Sequence, residues 1–224
     1  MQKKLSAYRG KLSAAEVAQG MTVAGRNARR LADDASTLLA AGSFPTAASL
    51  AVLAIEEAGK TSILRALALA RNDVEIKDEW KAYRSHTSKN VTWLLPALAA
   101  AGARKLDDLR PLFDQDSAHP FLLDQLKQLG FYTDCLGTGH WTVPAKAIDQ
   151  DLAKMLVTVA DVLAKEKDVS KKEIELWIEH IGPVWKKDPA WMKKGLANWY
   201  AAMQVAGLAP EGENQMEQFI RHDV

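Results

Sequence analysis

The chain has 224 residues, a formal net charge of +1, 48% hydrophobic and 25% charged residues. That length buries a sizeable core. The balance excludes a disordered chain and a protein drawn to nucleic acid by bulk charge alone. The single cysteine, Cys135, excludes an intrachain disulfide and fits a reducing compartment; we expect it to be buried or partly buried. The basic residues at the N-terminus have no apolar run behind them, so a signal peptide is not expected. No apolar run nears the ~20 residues that span a bilayer, so the expected location is the cytoplasm, without a membrane partner.

Val17, Met21, Ala24, Ala28, Leu31, Ala35 and Leu38 recur at four and three residues. This spacing predicts a helix from about Ser13 to Ala41, ended by Gly42. A second helix is predicted from about Phe44, with Pro45 in its first turn, to Arg71. Leu50, Leu53, Leu64 and Leu67 lie near one face of it. Ala47, Ala51, Ala54 and Ala58 form a small-residue stripe that lets a neighbour come close. A third helix is predicted from about Lys77 to Leu95, kinked or ended by Pro96. Residues 103–120 read as loop with a short helix, and Phe121 to Leu129 as another helix. The glycines, the proline and the aromatics of 130–144 predict an extended segment or small hairpin on the bundle. Ala145 to Lys165 reads as one helix. Glu166 to Lys172 is a charged linker, and shorter helices with Trp177, Trp185, Trp191 and Trp199 follow. The fold class is all-α, a helical bundle. It divides into residues 1–168 and a tryptophan-rich helical tail, 169–224, expected to pack on it mainly through core aromatics.

The second helix carries charges in an apolar register, Glu56-Glu57-Ala58-Gly59-Lys60. Glu57 and Lys60 share the stripe of Leu53 and Leu64. Charges there are partly desolvated, which is costly unless they are paired or useful. Glu56 with Lys60, or Glu57 with Lys60, can form an intrahelical pair. Gly59 in mid-helix costs about 1 kcal/mol in propensity and points to a close backbone approach. On the third helix Tyr83, His86, Asn90 and Trp93 share a face, with Lys89 one turn from His86. A lone histidine among aromatics is usually structural. Arg84, two residues before His86, points elsewhere on a regular helix. There is no H-E-x-x-H, C-x-x-C or paired E-x-x-H, no phosphate-binding loop and no G-x-S-x-G elbow.

The chain resembles the AbiV family, a branch of the HEPN-type helical proteins. The resemblance is carried by Asn27-Ala28, Leu31 and Asp34-Ala35; by Leu50 to Lys60 with its Glu-Glu-Ala-Gly-Lys phrase; by Arg84-Ser-His86-Thr-Ser-Lys89; and by Lys127 to Asp134, with Trp141 and Pro144 downstream. It implies an anti-phage abortive-infection protein with an HEPN-like helical bundle. It also implies a homodimer, and arrest of translation through a phage-encoded trigger protein. Relatives of the HEPN type are often metal-independent ribonucleases that use R-x4–6-H. No arginine here has that spacing to a histidine, so ribonuclease chemistry would need another design. His86 would be the general acid/base. Lys60, Lys89 and Arg84 would meet the phosphorane charge, and Glu57 would orient His86 or Lys60, or serve as the partner base. Glu56, Asn27, Tyr132, Asp134 and Trp141 would bind substrate or partner. The expected substrate is RNA, tRNA among the candidates, and no metal or cofactor is required. The alternatives are a non-enzymatic module acting by occupancy, with the charges as a structural network, and the neutralising partner of a nucleotidyltransferase.

Overall fold

The structure is a computed structural model that describes residues 6–113 and 118–220. Helix α1, Ala14–Ala40, opens on a capping box between Ser13 and Glu16. Helix α2, Phe44–Ala68, follows after Gly42, whose φ of 76° suits glycine at this tight turn. The two helices pack along a seam of small side chains, including Ala28, Ala32 and Ala35 of α1 and Ala47, Ala48, Ala51 and Ala54 of α2, all buried. Such residues let helix backbones come close.

The third predicted helix is broken. Helix α3, Asp73–Arg84, is capped by the Asn72 side chain and stops at Ser85, whose ψ of 129° is extended. The Ser85 hydroxyl then accepts from the Ser88 amide and caps a new turn, α4, His86–Lys89. A serine that offers its oxygen to the next turn's amide competes with helix continuation. A 3-10 turn, Val91–Leu94, leads into α5, Leu95–Ala100, so Pro96 sits in a first turn. A second 3-10 stretch, Leu106–Phe113, precedes α6, His119–Phe131.

Helix α6 outruns its predicted end at Leu129. Beyond it a small antiparallel hairpin pairs Cys135–Leu136 with His140–Trp141. Its turn holds Gly137 and Gly139, both at positive φ. Cys135 is exposed, against the expectation of burial, because the two short strands leave both faces open to solvent. The predicted helix over 145–165 is also divided, into α7, Pro144–Ala147, and α8, Gln150–Leu163. Asp149 caps α8 through the Leu152 amide, and Ile148, extended and buried, plugs the core between the two.

Helix α2 is the axis of the bundle, contacted by α1, α3, α4, α6, α7 and α8. Its neighbours on every side explain why it is apolar nearly all round. The tail forms α9, Lys171–Ile181, a 3-10 turn, then α10, Pro189–Val205, and α11, Gln215–Ile220. Ile174 of α9 joins Met21, Leu64 and Leu67 in one apolar cluster. The Trp177 indole donates to the Arg65 carbonyl and stacks edge-on against Trp199, with the Arg65 guanidinium over both rings. Trp191, in contrast, is exposed. Among the described residues no helix is long and apolar enough to cross a membrane.

Candidate catalytic cluster

Three helices bring five ionisable side chains to one place. Glu56 comes from α2, His86 and Lys89 from α4, and Asp124 and Lys127 from α6. The Glu56 carboxylate is almost fully buried. Its Oε2 lies 2.6 Å from His86 Nδ1 and 3.3 Å from Lys89 Nζ. Its Oε1 accepts from Lys127 Nζ at 2.6 Å. The same ammonium lies 2.7 Å from Asp124 Oδ1 and 3.2 Å from His86 Nδ1. A buried carboxylate between two buried ammonium groups satisfies the rule that interior charge must be paired.

The site exists because two glycines allow the helices to close on each other. A Cβ on Gly59 would lie 2.0 Å from the Lys89 carbonyl oxygen, so α4 rests directly on the α2 backbone. A Cβ on Gly130 would lie 2.2 Å from Ser49 Oγ and 2.7 Å from the Pro45 carbonyl oxygen. The Ser49 hydroxyl also donates to the Lys127 carbonyl at 3.1 Å. Buried Asn90 ties α4 to α6 by donating to the Pro120 carbonyl.

Two groups compete for His86 Nδ1. The nearer is Glu56 Oε2, which can only accept when ionised, so Nδ1 carries the hydrogen. Nε2 is then the ring's proton acceptor. The His86 side chain is 53% exposed, against 3% for Glu56, so solvent reaches a ring whose base is sealed. Burial acts to lower the Lys127 pKa, but its hydrogen bonds to Asp124 and Glu56 outweigh this and raise it. Glu56, His86 and Asp124 present donor atoms within 4.8 Å of one another, a spacing that could hold a metal ion. Lys127 Nζ sits against all three, so the ammonium is the cation around which the cluster is built.

The other predicted residues divide between this cluster and elsewhere. Glu57 and Lys60 pair with each other at 2.5 Å, and Lys60 lies over the Tyr83 ring. The carboxylate that holds His86 is therefore Glu56, not Glu57. Arg84 donates to the carbonyls of Trp80 and Tyr8, and the break at Ser85 separates it from His86. Asn27 accepts from the Arg30 guanidinium on α1. Tyr132 and Asp134 line a groove of about 470 Å³ that Asp124 also borders. Trp141, on the hairpin, is exposed. Sequence reasoning missed Asp124 and Lys127 as site residues. Lys127 was marked by register: Leu123, Lys127 and Gly130 fall at four- and three-residue steps on one buried face of α6.

With this geometry in view, comparison with known proteins is informative. The family model of AbiV, of the HEPN type, matches residues 16–165. The chain belongs to the AbiV family. AbiV proteins are abortive-infection proteins of anti-phage defence, and all five cluster residues lie within the matched span. In this AbiV protein α9 to α11 lie beyond it. No curated protein and no solved structure matches the chain.

Proposed function

We propose that this AbiV protein is an abortive-infection effector that cleaves RNA without a metal, using His86 as its general base and acid. The reading includes a homodimer that stops translation when a phage-encoded protein triggers it. The observation that supports it is the pairing of an exposed imidazole with a buried carboxylate through Nδ1. That arrangement orients the ring and leaves Nε2 as its basic nitrogen, on a side chain that solvent reaches.

In the proposed reaction His86 Nε2 takes the proton of a ribose 2′-hydroxyl. The 2′ oxygen attacks phosphorus, and the bond from phosphorus to the 5′ oxygen breaks. The imidazolium returns its proton to the departing 5′ oxygen. The products are a 2′,3′-cyclic phosphate and a 5′-hydroxyl. Glu56 and Lys127 are positioning residues. Lys89 adds positive potential beneath the phosphorane, and low dielectric strengthens that effect. Lys60, paired with Glu57, stands one turn along α2 from Glu56.

The test is incubation of purified protein with total RNA and with tRNA, beside His86→Ala. A general acid/base contributes about 10²–10⁴-fold, so the variant should be slower by that factor and keep its melting temperature. Equal cleavage by both proteins would remove the assignment. A second reading, a module that binds a translation component or phage protein by occupancy, is favoured by one observation: Glu56, Lys89 and Lys127 are buried and mutually paired. Under it, neither protein cleaves RNA, yet both block translation in an extract.

A further inference from the structure

A second feature of the molecule lies beside the cluster and takes no part in it. Residues 8–10 run along α3 and are pinned there. The Trp80 indole donates to the Gly10 carbonyl at 2.9 Å, Arg84 donates to the Tyr8 carbonyl, and the Tyr8 ring meets Trp80 edge-on. Between this strip and α3 lies an open groove of about 630 Å³, lined by Arg9, Lys77, Asp78, Lys81, Arg84 and Ser85, with Trp80 at its base.

Lys77, Lys81 and Arg84 are spaced four and three apart, so they form one row on α3. At 1.5 Å per residue the row is about 10 Å long. Arg9 faces it from the pinned strip. These four cations meet one carboxylate, Asp78, in a chain whose net charge is only +1. Among the described residues none of the four has an acidic partner within ion-pair distance. Four other surface arginines, Arg26, Arg29, Arg30 and Arg71, each hold a carboxylate, whereas Arg104 donates to backbone carbonyls. The groove's end is Ser85, the residue before His86, and consecutive Cα atoms are about 3.8 Å apart.

We propose that this groove binds the phosphate backbone of single-stranded RNA and delivers a phosphodiester to His86. The proposal rests on the ribonuclease reading. A row of three cations on α3 faced by Arg9, none of them ion-paired, ends one residue short of the break that leads to His86 and matches a polyanion threaded toward it. Trp80, the aromatic among the lining residues, is buried beneath Arg84 and Tyr8, so its face is not offered for stacking. Recognition is therefore by charge and indifferent to base sequence.

The experiment measures binding without cleavage. His86→Ala protein is titrated against an end-labelled RNA of about 20 nucleotides by fluorescence anisotropy, between about 50 and 200 mM salt. The same protein carrying Lys77→Glu and Lys81→Glu is compared with it. Both lysines are exposed, so the pair should leave the fold intact, which circular dichroism checks. Expected are an affinity at least about tenfold lower and a salt slope shallower by about 1.4, at ~0.7 for each lost phosphate contact. Unchanged affinity and slope would overturn the groove assignment even if RNA is cleaved. Loss of polyaspartate binding with RNA binding intact would assign the groove to an acidic protein and overturn it too. The ribonuclease reading stands or falls separately, on cleavage by the wild type against His86→Ala.

Discussion

Gly59 of α2 lies against the carbonyl of Lys89, so close that a methyl group on it would come within 2.0 Å of that oxygen. Helix propensity alone favours alanine over glycine by about 1 kcal/mol. Here the contact is with backbone, which cannot rotate away. Overpacking typically costs about 1–3 kcal/mol, so the packing loss outweighs the propensity gain. Gly59→Ala should lower stability and push α4 off α2. His86 and Lys89 would withdraw from Glu56 together, so the His86 ring signals in an NMR spectrum should move. A stabilised variant with unmoved signals would contradict the close approach.

The cluster's charges predict an order of sensitivity. Glu56 is the shared acceptor of Lys89, Lys127 and His86. Glu56→Gln takes the paired carboxylate from buried Lys89 and leaves buried Lys127 with Asp124 alone, at a cost of about 3–5 kcal/mol. Lys127→Met leaves Glu56 with Lys89 and His86, and leaves Asp124 partly solvated, so its cost should sit near the lower end, about 3 kcal/mol. Denaturant melts of the two variants should rank in that order. Near-neutral effects in both would show that the charges are solvated in solution.

The tautomer of His86 is a separate test. Glu56 Oε2 at 2.6 Å demands a hydrogen on Nδ1, whereas Lys127 Nζ at 3.2 Å could donate into a bare Nδ1. The shorter contact to the acceptor-only carboxylate should win. Nitrogen-15 shifts of the neutral ring should therefore show Nδ1 protonated and Nε2 bare. The opposite tautomer would leave no base pointing outward, and the proposed proton transfer would have no acceptor.

Acid stability should depend on Glu75. The Arg71 guanidinium, then the Arg71 amide, hold its carboxyl down from 4.5 to about 2. A depressed carboxyl contributes stability that is present above its ordinary value and lost as pH falls through the folded one. The wild type should therefore lose this contribution between pH 4.5 and 2. Glu75→Gln should start less stable at neutral pH and fall less steeply across that window. Parallel curves for the two proteins in urea midpoints against pH would refute the linkage.

Much of the fold was legible locally. The three-four rhythm of α1 and α2 is a property of neighbouring residues, and their observed ends lie close to the predicted ones. The mid-helix glycine at Gly59 was a readable sign of backbone contact. The break at Ser85 was not, because serine is tolerated in helices. It caps here only because α4 is held against α2 and α6. The division at Ile148–Asp149 escaped for a like reason: an unbroken apolar rhythm conceals a residue whose extended backbone is stabilised by burial.

The choice between Glu56 and Glu57 shows where sequence stops. Adjacent residues on a helix differ by about 100° in direction, and α2 is surrounded, so no single solvent face separates inside from outside. Glu57 with Lys60 was visible because partners three residues apart meet on any helix. Glu56 with Lys127 joins residues 71 apart in the chain. By itself the sequence determined which stretches are helical, which carry charge on apolar faces, and where small residues allow helices to approach. Which carboxylate meets which ammonium and imidazole was decided by how α2, α4 and α6 cross at Gly59 and Gly130, because an ion pair depends on ångström distances that only packing sets.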